Sequence, residues 1–287
     1  MKPSQRKPLD FPYALRSFLG YLEGTEKSAH TIKNYRLDLL SFENFLSHGR
    51  TRKFRLTALT VSDLARFDEF LKTEKLKTNT RRRKLITVKR FLTYLAERKK
   101  VPVELLRKLV TPSKIERFPK IVSYSDLLGA VRRLPREDAI SERNRVLLWA
   151  MIETGCLVSE VAQLKFEGWT QAGIRFEGKS PRLVAISPEL YQAGLELKRK
   201  HAHRRPWIFP GQNRFTELSG PISPRGIEMM VRHYRPQLGA GPLTPRTIRH
   251  SVTREWFQMN LSRLEIKRRL GLKSEYAFRA HGIKSRT

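Results

Sequence analysis

Basic side chains and histidines occur at spacings that could do chemistry on a phosphate. In the stretch LTPRTIRHSVT, Arg246 and Arg249 are three positions apart and His250 follows directly. On a helix the two guanidiniums share a face, where they suit bidentate capture of a phosphate group. Lys179 lies in a predicted turn, and the imidazole of His281 is a possible nucleophile. The same residues also occur on exposed basic helices and in solvent-exposed turns that have no catalytic role. Their role here therefore depends on the elements that position them.

A second basic cluster opens the segment TNTRRRKLITVKRF. Four cations occupy the first turns of a predicted amphipathic helix, at Arg81, Arg82, Arg83 and Lys84. We expect Asn79 or Thr80 to cap this helix. Free N-terminal amide groups beside four cations predict a phosphate-contacting surface, and a helix can present such side chains to the major groove of DNA.

The net charge points to a polyanionic partner. The 287 residues include 58 Lys and Arg against 27 Asp and Glu, a net charge of +31. Self-repulsion opposes such an excess in a folded chain, so nucleic acid is the first candidate partner and an anionic membrane surface the second. Residues 1–112 hold 26 cations and 11 anions, and residues 113–287 hold 32 and 16. This balance favours a clamp that grips one nucleic acid from two sides.

Composition also excludes several classes of protein. No run of 18 apolar residues occurs, so no transmembrane helix is predicted. The N-terminus lacks the apolar segment of a signal peptide. The single cysteine, Cys156, rules out an internal disulfide and a multi-cysteine zinc site. We therefore expect a cytoplasmic protein without a metal or a cofactor.

Hydrophobic periodicity predicts a helical first domain over residues 1–112. Helices are expected at 11–24, 28–46, 61–75 and 78–100, with Ser28 as the N-cap of the second. The predicted buried positions of the second and fourth helices are Ile32, Tyr35, Leu39, Phe42, Leu46, Leu85, Val88, Leu92 and Leu95. The segment 107–124 carries two prolines and scattered charge without a period, and residues 113–122 within it are predicted to form a linker.

Residues 123–287 predict a mixed second domain. Ser123 precedes a capped helix, and SERNRVLLWAMIETGCLVSEVAQL indicates a helix, a glycine turn and another helix. The stretch GIRFEGKSPRLVAIS indicates a β-hairpin, with Ile174, Phe176, Leu183 and Ala185 alternating and a turn over 178–181. The remainder reads as mainly helical.

Seven motifs together resemble the tyrosine recombinase (phage integrase) family, particularly its Xer-type members. In chain order they are KSAHTIKNYRLDLLSFENFL, NTRRRKLITVKRFLTYL, TGCLVSEVAQL, FEGKSPRLVAIS, IFPGQ with GPISPRGIEMMVRHY, LTPRTIRHSVT and LGLKSEYAFRAH. The resemblance implies a mainly α fold in two domains. These are an N-terminal helical, SAM-like core-binding domain and a C-terminal mixed α+β domain of the catalytic type with a small antiparallel sheet.

The resemblance also implies a reaction and the residues that would perform it. In this family a tyrosine attacks a DNA phosphodiester, two arginines hold the nonbridging oxygens, and a hairpin lysine protonates the leaving oxygen. Lys179 and Arg249 match two of these positions, with Glu160 and His250 as supporting matches. The remaining positions depart from the pattern: they are Leu157 for the first arginine, Arg246 for a histidine, Leu272 for a histidine or tryptophan, and His281 for the tyrosine.

These departures predict a DNA-binding protein that is not an enzyme. No catalytic residue is expected, and Leu157 and Leu272 are expected to fill the phosphate pocket. The predicted DNA-binding residues are Lys27, Thr31, Lys33, Asn34, Lys77, Asn79, Arg81, Arg82, Arg83, Lys84, Lys179, Arg182, Arg225, Arg246, Arg249 and His250. The role could be plasmid replication initiation, regulation or organisation of DNA, with the protein associated with the nucleoid or a plasmid.

Two alternatives stay open from the sequence. One is an active site-specific strand-exchange enzyme that uses His281, Tyr276 or residues of a partner. The other is a basic protein without sequence preference, such as an RNA-binding protein. Only six polar or basic-rich residues follow His281, where the family usually continues with a helix that docks on a neighbouring subunit. We therefore expect a monomer in solution that pairs, if at all, on double-stranded DNA.

Overall fold

The chain folds into two compact units, Met1–Glu116 and Arg117–Thr287. The structure is a computed structural model that describes residues 9–25, 27–48, 54–115, 120–201, 206–212, 218–239, 241, 243–274 and 278. The division between the units falls inside the segment that the sequence assigns to a linker. The mainly α fold with a small antiparallel sheet is confirmed.

Five α-helices build the described part of the first unit. They are α1 (Phe11–Glu23), α2 (Ala29–Ser47), α3 (Val61–Thr73), α4 (Thr78–Glu97) and α5 (Glu104–Lys108). Phenylalanines from four of these helices are fully buried, namely Phe11, Phe18, Phe42, Phe67 and Phe91. Their rings meet at tilted angles, with centroids 4.8 Å apart for Phe42 and Phe67. Such aromatic contacts add to the free energy that burial of the apolar stripes supplies.

The helix starts of this unit show one confirmed cap and one that was wrong. Ser28 caps α2, because its Oγ accepts a hydrogen bond from the amide of Thr31 at 3.2 Å. The predicted cap of α4 at Asn79 or Thr80 is wrong, since α4 begins at Thr78 and Lys77 precedes it without a side-chain cap. The Asn79 side chain instead donates to the carbonyl of Ile115 at 3.0 Å and accepts from its amide at 3.1 Å.

The second unit combines seven α-helices and five short strands in its described part. The helices are α6 (Tyr124–Arg132), α7 (Ala139–Thr154), α8 (Val158–Ala162), α9 (Pro188–His201), α10 (Pro224–Tyr234), α11 (Pro245–Gln258) and α12 (Arg263–Leu270). The strands are β1 (Trp169–Thr170), β2 (Gly173–Phe176), β3 (Arg182–Val184), β4 (Pro210–Gln212) and β5 (Leu218–Pro221). Its core surrounds α7, which is buried along almost its whole length.

The antiparallel sheet β1-β2-β3 corrects one detail of the predicted hairpin. In the observed register Ile174 pairs with Val184, and Phe176 pairs with Arg182. The buried face of β3 therefore carries Arg182 and Val184, whereas the prediction placed Leu183 and Ala185 there. The separate β4–β5 hairpin was not predicted, because the sequence read as mainly helical in this region.

Two glycines in left-handed conformation end the helices that frame the site. Gly155 ends α7 with φ +58°, and Gly271 ends α12 with φ +65°. A Cβ on Gly271 would lie 2.8 Å from Nη1 of Arg182, so the turn after α12 has space only for glycine. Across the described ranges no helix combines the length and the apolar character needed to cross a lipid bilayer.

Candidate functional site

The start of α11 lines a cavity of about 420 Å³ in the second unit. Thr244 caps the helix by accepting from the amide of Thr247 at 3.1 Å, and Pro245 occupies the first turn. The cavity walls come from α8, α10, the loop before α11 and α11 itself. They are formed by Cys156, Leu157, Val158, Glu228, Arg232, Arg235, Leu243, Thr244, Pro245, Arg246, Arg249 and His250. Four guanidiniums and one carboxylate make the cavity strongly cationic.

Arg249 joins three helices from a buried position at this cavity. Its Nη1 donates to the carbonyl of Gly155 at 2.6 Å, and its Nη2 donates to the carbonyl of Leu270 at 2.7 Å. Both oxygens lie at helix C-termini, where carbonyls lack a partner within the helix. Burial holds the pKa of this guanidinium below its usual value. The predicted phosphate ligand therefore makes structural bonds between α7, α11 and α12.

His250 is a neutral acceptor rather than a cation at neutral pH. Its side chain is buried, and its Nε2 accepts from Nε of Arg246 at 3.1 Å. Burial first, and then the charges of Arg246 and Arg249, lower the pKa of His250 to about 4. Arg246 is exposed at the cavity rim. The pair thus directs one cation of the predicted DNA-binding set toward the cavity.

Leu157 does not fill the phosphate pocket, contrary to the prediction. Its side chain is 45% exposed, and it lies at the rim of the open cavity. Its backbone amide donates to Oε2 of Glu160 at 2.7 Å, which caps α8. Leu272 is half-buried and packs against the core of the second unit, outside the residues that line the cavity. The cavity therefore stays open although its predicted arginine is absent.

Glu160 and Arg182 form a bidentate ion pair beside the cavity. Nη1 and Nη2 of Arg182 lie 2.7 and 2.8 Å from the two carboxylate oxygens. Its Nε donates to the carbonyl of Arg269 at 2.6 Å. Arg182 belongs to the predicted DNA-binding set, but its side chain is almost fully buried and its nitrogens bond within the protein. These contacts hold β3, α8 and the end of α12 together.

Lys179 lies in the turn between β2 and β3, exposed to solvent. The turn borders a second cavity of about 520 Å³, which Leu157 and Glu160 also line. Lys179 thus lines the same cavity as Leu157, the residue that stands where the resemblance implies an arginine. Of the other predicted residues in this unit, Arg225 is exposed on α10, where it pairs with Glu228 at 3.1 Å.

Of the four cations at the start of α4, three are paired with carboxylates, and Arg82 has no such pair among the described residues. Arg81 donates to both oxygens of Asp68, at 2.7 and 3.0 Å. Arg83 binds the buried Asp38, whose other oxygen lies 3.8 Å from Nζ of Lys84. Arg82 is half-buried, and its Nε has no hydrogen-bond partner among the residues that the structure describes. Arg82 is thus the cation of this cluster with an unused donor.

A groove of about 400 Å³ between α2 and α4 brings several predicted residues together. Its walls contain Thr31, Asn34, Tyr35, Asp38, Asn79, Arg82, Arg83, Ile86, Thr87 and Lys114. Lys27, Lys33 and Lys77 are exposed without lining this groove. The sequence prediction missed Tyr35 and Lys114, which only the packing of α2 on α4 and the return of the chain after α5 bring to this place.

Arg232 and Arg235 line the cavity, although neither was predicted as a site residue. The strong amphipathic period of α10, continued for one residue beyond Tyr234, puts the two arginines three positions apart on one face and was the signal that could have identified them. Two predicted alternatives, His281 and Tyr276, lie outside the described residues. Within the described ranges, His, Cys, Asp and Glu side chains form no group of three that could hold a metal ion.

Comparison with known proteins finds a family match within the first unit and similar proteins over most of the chain. The family "Phage integrase, N-terminal SAM-like domain" matches residues 15–99. A protein named tyrosine recombinase XerC from Chlamydia caviae is 27% identical, covering 90% of this chain and 90% of its own length. A protein of the same name from Herpetosiphon aurantiacus is 26% identical over 90% of this chain and 86% of its own length.

Solved structures show the same fold over nearly the whole chain. A lambda integrase dimer bound to a COC′ core site matches with a TM-score of 0.71 and 13% identity, covering 96% of this chain and 77% of that one. The XerH site-specific recombinase bound to its difH substrate, a pre-cleavage complex, matches with a TM-score of 0.71 and 19% identity, covering 94% and 81%. Both of these similar structures contain DNA.

Proposed function

The chain belongs to the tyrosine recombinase (phage integrase) family, and we propose that within this family it binds duplex DNA without cleaving it. The observation that carries the proposal is Leu157. Its exposed aliphatic side chain stands at the rim of the cationic cavity, where the family pattern has an arginine that holds a phosphate oxygen. A leucine offers no hydrogen-bond donor to developing negative charge.

The loss of this donor has a predictable cost for catalysis. Removing one preorganised donor from such a site lowers the rate by about two to three orders of magnitude. Arg249, the second arginine of the pattern, spends two nitrogens on the carbonyls of Gly155 and Leu270. His281 replaces the tyrosine in the sequence. The substitutions at the Leu157 and His281 positions, together with the engaged nitrogens of Arg249, support a member of the family that binds DNA without cutting it.

DNA binding is supported by charge that remains available on both units. The net charge of +31 is shared between the two halves of the chain, which suits a protein that holds DNA from two sides. We assign to the DNA-facing set the exposed or unpaired cations of the prediction, such as Lys33, Arg82 and Arg246. Arg81 and Arg182 leave that set, because carboxylates of the protein already hold them.

Selection of bound fragments from the source genome and its plasmids tests this proposal. We expect a common sequence among the fragments, a footprint of defined position, and an affinity that falls steeply with salt. The genomic location of the fragments would then separate a plasmid replication initiator from a regulatory or DNA-organising factor. A featureless footprint against random competitor DNA would contradict sequence-specific binding and favour the reading as a nonspecific basic protein.

A second candidate is an active strand-exchange enzyme, favoured by the open cationic cavity and by the exposed Lys179 of the second cavity, which shares Leu157 with the first. Its nucleophile would be His281 or Tyr276, or would come from a partner protein. Relaxation of a supercoiled plasmid that carries the selected site distinguishes the two candidates. The proposal predicts no relaxation at protein concentrations that saturate the site, whereas relaxed topoisomers would establish the enzyme.

The proposal includes the location and assembly of the protein. We propose association with the nucleoid or a plasmid through this DNA binding, and a monomer in the absence of DNA. Sedimentation of the free protein at micromolar concentration is expected to give the mass of one chain, 33.6 kDa. A stable dimer without DNA would contradict the assembly part of the proposal and leave DNA binding to be judged by the selection.

A further inference from the structure

The cationic cavity of the second unit contains charge at positions that the family pattern does not predict. Arg232 lies on α10, Arg235 directly follows this helix, and both line the cavity together with Arg246 and Arg249. Arg235 is three positions beyond Arg232 and keeps a helical backbone conformation, so the two side chains share a face. α10 packs against both α8 and α11. This packing places the face beside Leu157, the residue before α8.

The hydrogen bonds of the four arginines show which of them can receive a ligand. Arg249 is buried and engaged with two carbonyls. Arg235 is half-buried, its Nη2 donates to the carbonyl of Leu243 at 3.0 Å, and its buried Nε has no partner within the described ranges. Arg232 is exposed, and no carboxylate of the described residues pairs with it. The unused donors of the cavity are therefore concentrated on Arg232, Arg235 and Arg246.

The remaining walls favour an anionic group over a neutral one. Glu228 is the only acid among the residues that line the cavity, and it pairs with Arg225 on the same helix. Leu157, Val158 and Leu243 contribute apolar walls, and a low local dielectric strengthens each interaction between a guanidinium and an anion. Guanidiniums bind phosphoryl oxygens with bidentate geometry.

We infer that Arg232 and Arg235, together with Arg246, bind a phosphoryl group in this cavity and replace the charge that Leu157 cannot supply. The inference deepens the proposed function and rests on it for the source of the group, a phosphodiester of bound DNA. A free polyphosphate offers the same chemistry. The site thus keeps an anion-binding role without the reaction, with its cations on α10, directly after α10 and in the first turn of α11.

Two glutamine variants and a matched control test the inference with DNA. R232Q and the double variant R232Q/R235Q are compared with R254Q, which removes one exposed cation from α11 outside the cavity. Affinity for the selected duplex is measured by fluorescence anisotropy over a range of salt. We expect the loss of each arginine, Arg232 and then Arg235, to weaken binding about tenfold and to reduce the salt slope by about one. R254Q is expected to change affinity less than twofold.

Duplexes that carry a single neutral methylphosphonate identify the bound phosphate. At one position the neutral linkage should weaken binding by the wild type and have little further effect on R232Q/R235Q. Additive losses at every position, or variants that bind like the wild type, would overturn the inference while DNA binding stands. Because Arg232 is exposed, R232Q is expected to retain the wild-type melting temperature, which separates lost binding from lost folding.

Pyrophosphate distinguishes failure of the inference from failure of the proposed function. We expect pyrophosphate to raise the melting temperature of the wild type and of R254Q, and to have no such effect on R232Q/R235Q. If the wild type binds no DNA but shows this difference, the proposed function fails and the cavity binds free polyphosphate. If pyrophosphate acts equally on all variants and the methylphosphonate effects are additive, the site does not exist.

Discussion

Arg182 lies in the buried face of β3 and holds both carboxylate oxygens of Glu160, at 2.7 and 2.8 Å. The pair is almost fully buried and fixes α8, the helix that follows Leu157, against the sheet. Removing one partner of a buried pair leaves an uncompensated charge. This relationship gives Arg182 a structural role, although its position in a basic hairpin suggested contact with DNA.

We therefore expect R182M to lower the free energy of unfolding by about 3–5 kcal/mol. Urea denaturation followed by circular dichroism measures the change. R175M is the matched control, because Arg175 is exposed on the neighbouring strand β2, and it is expected to lose less than about 1 kcal/mol. Equal stability of R182M and the wild type would show that the pair does not hold the two elements together.

A second prediction concerns the two carbonyl bonds of Arg249. A lysine keeps the charge, but its single ammonium group cannot reach the carbonyls of both Gly155 and Leu270 in the same way. We expect R249K to cost about 1–3 kcal/mol, the range for a buried acceptor left without a donor. Thermal unfolding measures the effect, and R246K at the exposed rim of the same cavity should unfold near the wild-type temperature. A stable R249K would contradict the role of Arg249 in joining helices.

The lowered pKa of His250 predicts a pH dependence of stability. Its pKa is about 4 in the folded chain against an ordinary 6.5, so the unfolded chain takes up the proton first as the pH falls. This contribution is complete above pH 6.5 and is lost between pH 6.5 and 4, by an amount on the order of 3 kcal/mol.

The variant H250Q isolates this contribution of His250. Its amide oxygen can accept the hydrogen bond from Nε of Arg246 and does not titrate in this range. Free energies of unfolding at pH 7 and pH 4.5 should therefore differ less for H250Q than for the wild type. Equal pH dependence of the two proteins would mean that folding does not lower the pKa of His250.

The start of α4 gives a paired prediction on DNA affinity. R82Q removes the cation with an unused donor in the groove between α2 and α4, and should weaken binding about fivefold to tenfold with a salt slope smaller by about one. R81Q removes a cation held by Asp68 and should mainly reduce stability, by about 1 kcal/mol for a partly buried pair. Anisotropy measures the DNA affinity of both variants, and thermal unfolding measures their stability. A larger loss of affinity for R81Q than for R82Q would contradict the assignment of Arg82 to DNA binding and of Arg81 to stability.

The local sequence pattern predicted the helices and strands of this fold better than it predicted the tertiary contacts of their residues. The cap of α2 at Ser28 depends on neighbouring residues only and is confirmed. The cap of α4 was wrong because Asn79 bonds to Ile115, 36 positions away. The hairpin containing Arg182 was predicted, but a shift of one residue in the alternation exchanges the buried and exposed faces of a strand. Tertiary contacts of this kind have no signal in the local sequence.

The same limit applies to the candidate site. The sequence predicted that Arg246, Arg249 and His250 start one helix, and α11 confirms this placement. The sequence could not predict that Arg249 donates to the carbonyls of Gly155 and Leu270, because those oxygens belong to helix ends that are distant in the chain. The expectation that Leu157 fills the pocket failed for a related reason. Leu157 lies directly before α8, and its side chain is at the rim of the cavity, where it is 45% exposed.

The central claim, binding without cleavage, is tested most directly with a nicked suicide substrate. The duplex carries the selected site and traps any covalent protein–DNA intermediate, which survives SDS and shifts in a denaturing gel. We predict full binding of this substrate by anisotropy and no SDS-resistant adduct after prolonged incubation. An adduct formed by the wild type and lost in H281A or Y276F would contradict the claim and establish the chain as a DNA-cleaving enzyme.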